Sequence, residues 1–358
     1  MTILVTGGAG FIGANFVSEW LALCAEPVVN LDALTYAGDL RNLRGLADDP
    51  RHLFTRGDIG DHGQVDALLR RHRPRAVVNL AAETHVDRSI DGPALFIQTN
   101  VVATHRLLET VHAYWSGLAG AEREAFRFLH VSTDEVYGDL DEHAPPFTES
   151  DRYQPNSPYS ASKAAGDHLV RVWHRTYGLP ILVTHCSNNY GPLQHPEKLI
   201  PLMIARAVAG EDLPVYGDGR QIRDWLFVHD HCAALRAVLA AGRVGESYNI
   251  GGLDERRNIE VVRSVCAALD ALHPRADGSA HDAAIRYVTD RPGHDRRYAM
   301  DIAKIRRETG WQPREGFETG LRRTVLWYLQ ERCGSTEVAA RTRRRGLAAL
   351  GSPDATGA

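Results

Sequence analysis

Short apolar runs rich in β-branched residues recur along the first half of the chain. The clearest runs are Ile3 to Thr6, Val28 to Leu31, Ala76 to Leu80, Phe128 to Val131 and Ile181 to Thr184. Continuous apolar runs of this length are typical of parallel strands that are buried on both faces of a sheet. The pattern therefore predicts that these runs are strands of one parallel sheet.

Stretches with a helical repeat lie between these runs. After the first run, apolar residues recur at Ile12, Phe16, Trp20 and Leu23, which gives a helix one apolar face. A strand, a helix and a second strand within about 30 residues form a βαβ unit. Repetition of this unit predicts an α/β fold with a Rossmann-type, doubly wound parallel sheet.

The composition of the sequence changes near residue 186, where Pro and Gly become more frequent. We predict that residues 1–185 form the sheet domain and that the chain returns to it near residues 222–245. Residues 186–330 are predicted to form mainly a smaller α/β domain. Residues 335–358 carry Arg341 and three further arginines among Ala, Gly and Ser, and are predicted to be a flexible tail.

Composition and charge narrow the classes of function. The 358 residues are 44% hydrophobic and 24% charged, which is typical of a globular protein. A net charge of −4 gives no general attraction to nucleic acid or to an anionic membrane, and no apolar run approaches the roughly 18 residues that a transmembrane helix needs. The five scattered cysteines have no zinc spacing, so we expect a cytoplasmic protein without a metal site.

A glycine-rich segment follows the first predicted strand directly. Gly7, Gly10 and Gly13 have the spacing G-x-x-G-x-x-G, and the apolar helix comes next. Glycines in this context permit a tight turn and let a pyrophosphate approach the backbone N–H groups of a helix N-terminus. A plain tight turn is the simpler alternative, but the strand before and the helix after favour dinucleotide binding.

An acidic residue stands at the end of the second predicted strand. Asp32 can accept hydrogen bonds from both ribose hydroxyls of NAD and would repel the 2′-phosphate of NADP, so NAD is the predicted cofactor. Three further segments belong to the same crevice by position: Asp58 with Ile59, Leu80 to Ala82, and Thr99. Ordinary packing or capping explains each of these three equally well.

The segment from Ser157 to Lys163 predicts a helix start that carries a candidate base. Ser157 is suited to the N-cap and Pro158 to the first helical position. Tyr159 and Lys163 are four residues apart and therefore share one face. A nearby ammonium stabilises phenolate, so the pair can act on an alcohol, although an ordinary surface pair explains the spacing too.

Two adjacent acids, Asp134 and Glu135, follow Thr133 at the end of the strand that begins at Phe128. Ligands of open α/β sheets bind at the carboxyl ends of strands, where reactive groups are expected. Crowding of two carboxyls raises one pKa, so one can serve as an acid while the other serves as a base. A solvated turn in which the acids cap the next segment is the alternative.

These segments together resemble the extended short-chain dehydrogenase/reductase superfamily that acts on sugar nucleotides. Within it, the chain is similar to the dTDP-glucose 4,6-dehydratase family over about residues 2–330. The matching strings are residues 31–38, 81–89, 132–138, 186–192 and 221–225, beside the glycine loop and the Tyr159/Lys163 pair. Related epimerases resemble the chain in the loop and the pair but lack an acid at both positions 134 and 135.

The resemblance implies a role for each catalytic candidate. Tyr159 would take the proton of the sugar C4 hydroxyl as hydride passes to NAD, and Thr133 would hydrogen-bond the C4 oxygen. Glu135 would move the C5 proton, and protonated Asp134 would donate to the departing C6 hydroxyl. Lys163 would hold the nicotinamide ribose and lower the pKa of Tyr159. The product would be the 4-keto-6-deoxy sugar nucleotide.

The resemblance also implies the residues that hold the two ligands. The cofactor would be bound by Gly7, Gly10, Phe11, Ile12, Gly13, Asp32, Ala33, Leu34, Thr35, Asp58, Ile59, Leu80, Ala81, Ala82, Thr99, Tyr159, Lys163 and Asn189. The sugar nucleotide would be bound by Thr84, Thr133, Asp134, Glu135, Asn188, Lys198, Leu199, Pro214, Tyr216, Arg223, Asn258, Arg291, His294 and Asp295. The family also forms homodimers through helices of the cofactor domain.

Two alternatives stay open beside the dehydratase. One is an NAD-dependent epimerase or decarboxylase of UDP-sugars with the same glycine loop, and Asp134 and Glu135 argue against it. The other is a non-catalytic NAD sensor, for which a base and an acid have no use.

One departure from the family pattern is His185, which stands where an asparagine is expected. We expect it to be a packed histidine at a strand end.

Overall fold

The computed structural model describes residues 1–331. The predicted tail, residues 335–358, lies outside the described residues. The strands are, in chain order, β1 (Ile3–Thr6), β2 (Val28–Asp32), β3 (His52–Arg56), β4 (Ala76–Asn79), β5 (Arg127–Thr133), β6 (Ile181–Cys186), β7 (Asn188–Tyr190), β8 (Leu213–Tyr216), β9 (Ile222–Phe227), β10 (Ser247–Ile250), β11 (Glu255–Arg257) and β12 (Ile285–Val288).

Helices connect most of these strands. They are α1 (Phe11–Leu23), α2 (His62–His72), α3 (Val86–Asp91), α4 (Pro93–Ile97), α5 (Thr104–Ser116), α6 (Gly120–Ala125), α7 (Pro158–Tyr177), α8 (Leu199–Val208), α9 (Val228–Ala241), α10 (Asn258–Leu272), α11 (Ala303–Thr309) and α12 (Phe317–Glu331). Short 3-10 helices cover Leu40–Leu46, Asp134–Val136 and His281–Ala284, and a π-helical turn covers Gln98–Ala103.

Seven parallel strands form the central sheet, in the order β10-β6-β5-β4-β1-β2-β3. The strand order reverses beside β1, whose Val5 pairs with Asn30 of β2 on one side and with Val78 of β4 on the other. Ligands of such sheets bind at the carboxyl ends of the strands next to this reversal. The predicted Rossmann-type parallel sheet is confirmed.

Apolar side chains of each central strand go to both faces of the sheet. In β1, Ile3 and Val5 belong to the core under α1 and α9, whereas Leu4 belongs to the core under α2, α5 and α7. Successive side chains of a strand point to opposite faces, so only a continuous apolar run fills both cores. This is the physical reason that the runs in the sequence identified the strands.

One residue of the predicted apolar face of α1 does not reach the core. Phe16 and Trp20 are buried, but Leu23 is 67% exposed. Val17 and Leu21 are buried beside Phe16 and Trp20, so the core face of the helix lies between these two rows of side chains. Leu23 lies outside this face, and the prediction was wrong for Leu23.

Two small sheets and a separate apolar core follow the central sheet. One sheet has the order β11-β9-β7 and the other pairs β12 with β8. Their core includes Met203 of α8, Trp225 of β9, Val262 of α10 and Leu321 of α12. The predicted return of the chain over residues 222–245 overlaps α9, and β10 follows it in the central sheet. The division into two domains stays a prediction.

Helix α7 begins as the sequence indicates. The hydroxyl of Ser157 accepts a hydrogen bond from the Ser160 backbone N–H (3.1 Å), and the hydroxyl of Ser160 accepts one from the Ser157 N–H (3.0 Å). Pro158 occupies the first helical position, where its missing N–H costs nothing. This reciprocal cap fixes the first turn, which carries Tyr159.

No helix in the part of the chain that the structure describes has both the length and the apolar character needed to cross a membrane. The longest is α7, with 20 residues, and it contains charged residues such as Lys163 and Asp167. Both of these charges are buried, so the helix is adapted to a protein interior that provides them with partners.

Replacing the N-cap of α7 should destabilise the protein. Ser157→Ala removes the hydroxyl that accepts from Ser160, and the loss of an N-cap typically costs about 0.5–2 kcal/mol of folding free energy. Chemical denaturation of the purified variant measures this loss. Ser150→Ala, at an exposed serine outside any helix, is the matched control and should leave the free energy of unfolding unchanged. Equal stability of the two variants would contradict the capping role.

Candidate functional site

The glycine loop places the start of α1 directly against the ends of β1 and β4. Gly7 has a φ of 71°, and a Cβ atom there would lie 2.7 Å from the backbone nitrogen of Ala81. A Cβ atom on Gly13 would lie 2.1 Å from the Gly7 carbonyl oxygen. Gly10 is the N-cap, and no side chain caps the helix. The first turn of α1 therefore presents backbone N–H groups to the cavity beside it.

Asp32 fixes this loop to the end of β2. Its carboxylate accepts hydrogen bonds from the backbone N–H of Ala9 (2.8 Å) and of Leu34 (2.7 Å). Leu34 adopts a φ of 53°, which is unusual for a residue with a side chain. Each carboxylate oxygen has further acceptor capacity, so Asp32 can still bind hydroxyl groups in the cavity that it lines.

A cavity of about 290 Å³ runs from the glycine loop to the end of β5. Every predicted cofactor residue except Leu34 lines this cavity, which we call the cofactor cavity. The lining members are Gly7, Gly10, Phe11, Ile12, Gly13, Asp32, Ala33, Thr35, Asp58, Ile59, Leu80, Ala81, Ala82, Thr99, Tyr159, Lys163 and Asn189. Leu34 turns away and lines an adjoining cavity between the loop after β2 and α12. Cys186 and Ser187, at the end of β6, also line the cofactor cavity and were missed, although their position after a predicted strand could have indicated them.

Tyr159 and Lys163 are buried on the face of α7 that faces this cavity. Burial raises the pKa of Tyr159 well above its ordinary value, Glu135 raises it further, and a hydrogen bond with Thr133 lowers it. Lys163 donates a hydrogen bond to the Val131 carbonyl oxygen (2.9 Å), and burial lowers the pKa of its ammonium. The tyrosine therefore needs added positive charge before it can act as a base at neutral pH.

Asp134 and Glu135 have different electrostatic surroundings although they are adjacent in sequence. Asp134 is buried, and its pKa lies well above the ordinary value because of burial and because Glu135 and Asp224 are negative neighbours. The pKa of Glu135 is also raised, because of burial, although the positive charges of Arg291, Arg223 and Lys198 limit this increase. The arrangement favours a protonated Asp134 and an ionised Glu135.

A second cavity, of about 140 Å³, lies between the central sheet and the small sheets. The predicted sugar-nucleotide residues that line it are Glu135, Asn188, Lys198, Leu199, Tyr216, Arg223, Asn258, Arg291 and His294. Glu135, Asn188 and Lys198 line both cavities, which therefore share a wall. The other predicted sugar-nucleotide residues Thr84, Thr133 and Asp134 line the cofactor cavity instead.

Two predicted ligand residues, Pro214 and Asp295, line neither of the two cavities. Pro214 is in β8, where the following residues Val215 and Tyr216 line the cavity instead. The carboxylate of Asp295 accepts hydrogen bonds from the Asn156 side chain (2.6 Å) and from the Tyr298 hydroxyl. Asp295 is therefore joined to the cavity through its neighbours, and the contact of Pro214 and Asp295 with a ligand stays a prediction.

Arg223 is held rigidly in the second cavity. Its guanidinium donates to the carbonyl oxygens of Ile222 (2.7 Å) and Asp295 (2.9 Å) and lies 4.3 Å from the centre of the Tyr298 ring. Arg291 approaches Asp87 (3.4 Å), which also accepts from the Tyr216 hydroxyl (3.0 Å). Two guanidinium groups in one enclosed cavity suit a diphosphate.

Several residues of the second cavity were not predicted. They are His85, Val86, Asp87, Asn189, Gln194, Glu197, Val215, Trp225 and Tyr298. His85 and Asp87 lie inside the family string 81–89, which could have indicated them. Tyr298 and Glu197 carry no local signal, because their places depend on contacts between distant segments.

Among residues 1–331 no group of three or more His, Cys, Asp or Glu side chains is arranged to hold a metal ion.

Comparison with known proteins places this site within a class of enzymes. The family model described as GDP-mannose 4,6 dehydratase matches residues 4–324. The chain belongs to this family of nucleotide-sugar dehydratases. The resemblance inferred from the motifs is confirmed.

Several relatives of the chain carry the same, more specific name, dTDP-glucose 4,6-dehydratase. The chain is 64% identical, over 92% of its length and 93% of the relative, to a dTDP-glucose 4,6-dehydratase of Xanthomonas campestris pv. campestris strain B100. It is 54% identical to dTDP-glucose 4,6-dehydratase 1 of Escherichia coli K12, over 92% of this chain and 93% of the relative. Its fold matches the crystal structure of the Streptomyces venezuelae dTDP-glucose 4,6-dehydratase with NAD bound (TM-score 0.86, 45% identity, 94% of this chain and 100% of that chain).

Neutralising Asp134 should change how stability depends on pH. A carboxyl in the unfolded chain ionises near pH 4, whereas burial keeps Asp134 protonated to a higher pH in the folded protein. Between these two pKa values the folded state binds more protons, so wild-type stability falls as pH rises. Asp134→Asn carries no charge, so its melting temperature relative to wild type should increase from about pH 5 to about pH 8.

Thermal melting of both proteins across this pH range measures the effect. The matched control is Asp48→Asn, at an exposed aspartate. A difference between Asp134→Asn and wild type that stays constant with pH would contradict the buried, protonated state of Asp134.

Proposed function

We propose that this protein converts dTDP-glucose into dTDP-4-keto-6-deoxyglucose and water, using NAD as an internal hydride carrier. The observation that carries the proposal is the different environment of Asp134 and Glu135 at the wall shared by the two cavities. A dehydration needs one group that donates a proton and one that accepts a proton, and the site supplies both. The curated relatives that bear this activity in their names support the nucleotide assignment.

The cavity beside the glycine loop fits NAD. No side chain has room at Gly7 or Gly13, so a pyrophosphate can approach the start of α1 closely. Asp32 lies at the end of β2, where its carboxylate can accept from ribose hydroxyls. When bound, NAD accepts a hydride from the sugar and later returns it. The predicted cofactor therefore agrees with the residues that line the cavity and with the structural relative that contains NAD.

Tyr159 acts first, as the base for the C4 hydroxyl. Its buried phenol resists ionisation, and the ammonium of Lys163, one turn away on the same face of α7, supplies favourable positive charge. The hydroxyl of Thr133, which hydrogen-bonds Tyr159, can also donate to the C4 oxygen and orient it. Oxidation at C4 makes the neighbouring C5 hydrogen acidic.

Elimination of water follows at the end of β5. Glu135, near Arg291, Arg223 and Lys198, is the base that removes the C5 proton. Asp134, held protonated by burial and by its negative neighbours, donates a proton to the departing C6 hydroxyl. Glu135 returns its proton to C5 when C6 is reduced. Each carboxyl thus has the protonation state that its step requires.

The second cavity would hold the nucleotide diphosphate. Arg223 and Arg291 provide guanidinium groups for the two phosphates, and Asn188 and Lys198 lie where the sugar meets the cofactor cavity. Tyr216, Asn258 and His294 surround the remaining space. Asp87 orients Arg291 and Tyr216 by direct contacts. These ligand roles are part of the proposal.

The fold by itself does not separate a dehydratase from an epimerase. A UDP-glucose 4-epimerase of Thermotoga maritima has a TM-score of 0.81 and 28% identity to this chain, over 92% of it and 99% of that chain. An epimerase needs oxidation, rotation and reduction but no elimination, so a buried protonated acid beside a base would be unused. The Asp134/Glu135 pair is therefore the feature that favours the dehydratase.

We also propose that the enzyme is a cytoplasmic homodimer. Leu95 and Ile97 of α4 and Val172 and Tyr177 of α7 are exposed apolar side chains on helices that pack against each other. An exposed apolar surface of this kind is typical of a protein interface. The four cysteines within residues 1–331 are unpaired, which suits a reducing compartment.

The dehydratase proposal is tested by incubating the purified protein with dTDP-glucose and catalytic NAD. We expect a 4-keto-6-deoxy product about 18 mass units lighter, the mass of one water, with no net NADH. If UDP- or GDP-hexoses are dehydrated instead, only the nucleotide assignment is wrong. Epimerisation without loss of water would contradict the roles of Asp134 and Glu135.

Removing the charge of Glu135 should abolish most turnover. Glu135→Gln keeps the shape of the side chain but removes the base, so kcat should fall about 10²- to 10⁴-fold while NAD binding is retained. Steady-state kinetics and NAD titration measure the two effects. Glu142→Gln, at a surface glutamate paired with Arg257, is the control and should keep wild-type kcat. Wild-type turnover by Glu135→Gln would exclude Glu135 as the base.

The dimer is tested by sedimentation equilibrium of wild type and two variants. Val172→Arg places a charge on the apolar surface of α7 and should reduce the mass to that of one chain. Leu253→Arg changes an exposed leucine outside α4 and α7 and should leave the dimer intact. A wild-type protein that sediments as a single chain would contradict the proposal.

A further inference from the structure

A buried carboxylate with no assigned role, Asp167, lies behind the catalytic residues. Asp167 is 0% exposed. Its carboxylate accepts hydrogen bonds from the hydroxyls of Ser132 (2.8 Å) and Tyr153 (3.2 Å), and it lies 3.2 Å from the Nε2 atom of His185. His130 approaches its other oxygen (3.5 Å). We call these five residues the Asp167 cluster.

The Asp167 cluster joins the elements that carry the candidate catalytic groups. Tyr159, Lys163 and Asp167 follow one another at intervals of four residues along α7, so they share one face of that helix. Ser132 directly precedes Thr133 at the end of β5, and its register partner in β6 is His185. The carboxylate is therefore bonded to the strand residue that precedes the catalytic segment and stands one turn beyond Lys163.

The charges in this region favour an ionised Asp167. Burial raises its pKa, but the hydrogen bond from His185 and the electrostatic interactions with His185, His130 and Lys163 outweigh this effect, so its pKa lies below the ordinary value. Burial lowers the pKa of the Lys163 ammonium. The interaction with Asp167 raises this pKa, and the interaction with Cys186 raises it to a smaller extent. A buried ammonium needs a nearby negative charge to stay protonated.

The other charged and titratable groups near the cluster are few. Tyr153 also lies 2.7 Å from His185 and accepts a hydrogen bond from Arg171 (3.3 Å). Tyr137 contacts the second ring nitrogen of His185 (3.2 Å). Arg171 also bonds the Ser247 hydroxyl (3.0 Å) at the edge strand β10, so its charge is directed away from Lys163.

We propose that Asp167 is a positioning residue of the catalytic centre. It ties α7 to the end of β5 through Ser132, and it supplies the negative charge that keeps the buried Lys163 in its ammonium form. His185, which stands where the family pattern has an asparagine, fixes the orientation of the carboxylate. The inference deepens the proposed function, since it concerns how Lys163 is kept ready to assist Tyr159.

The protonation of Lys163 can be measured directly because the chain contains only three lysines, Lys163, Lys198 and Lys304. Full-length enzyme with NAD bound and ¹³C-labelled lysine gives three side-chain NMR signals. Lys163→Met and Lys304→Arg, each of which removes one signal, assign them. We expect Lys163 to titrate about one to three pH units lower in Asp167→Asn than in wild type.

Kinetics separate the charge of Asp167 from its hydrogen bond. Asp167→Asn should lower kcat about tenfold and move the alkaline limb of its pH profile to lower pH, with KM for dTDP-glucose within about twofold of wild type. Ser132→Ala removes the bond from β5 but keeps the charge. It should lower kcat about threefold without moving the Lys163 titration. Asp270→Asn, which changes a distant Asp–His contact with His281, should leave both readouts unchanged.

The outcomes distinguish this inference from the proposed function. An unchanged Lys163 titration in Asp167→Asn overturns the role of its charge, whatever the kinetics show. If Asp167→Asn does not fold, Ser132→Ala decides the positioning role, and wild-type kcat in that variant overturns it. Wild-type enzyme that leaves dTDP-glucose unchanged contradicts the proposed function alone, because the NMR titration requires no turnover.

Discussion

The exclusion of water from the carboxyl edge of the sheet is the constraint on which the rest of the site depends. For Tyr159, Lys163, Asp134 and Glu135, burial is the largest influence on the pKa, and in each case it opposes the charged form. The neighbours then decide which groups are ionised. Three cations limit the rise in the pKa of Glu135, whereas two carboxyls add to the rise for Asp134, so Glu135 ionises more readily than its neighbour in sequence.

The architecture maintains this environment by bringing distant segments together. The parallel sheet aligns the ends of β1, β2, β4, β5 and β6 along one edge, which collects the cofactor residues. Arg223 and Arg291 come from segments after the central strands and approach the same edge from the opposite side. Neither cation could remain in a closed cavity without partners, and backbone carbonyls, Asp87 and the Tyr298 ring provide them.

Features with a local physical cause could be predicted from the sequence. Apolar runs identified the central strands, the glycine spacing identified the loop before α1, and Ser157 identified the start of α7. Features that depend on tertiary contacts could not. Leu23 is exposed because it lies outside the face of α1 that packs on the sheet, and Leu34, whose backbone N–H binds Asp32, lines a different cavity. The contacts of Asp295 and of Asp167 join segments far apart in sequence, and no spacing indicates them.

The wall shared by the two cavities has a consequence for the metabolism of the cell. Glu135, Asn188 and Lys198 line both cavities, so a nucleotide sugar bound as proposed would lie across the reacting end of the cofactor cavity. Under the proposed function, the hydride that leaves the sugar would return to the same molecule before the cofactor could exchange with solvent. Flux through such an enzyme follows the supply of sugar nucleotide and is insulated from the ratio of reduced to oxidised pyridine nucleotides in the surrounding fluid.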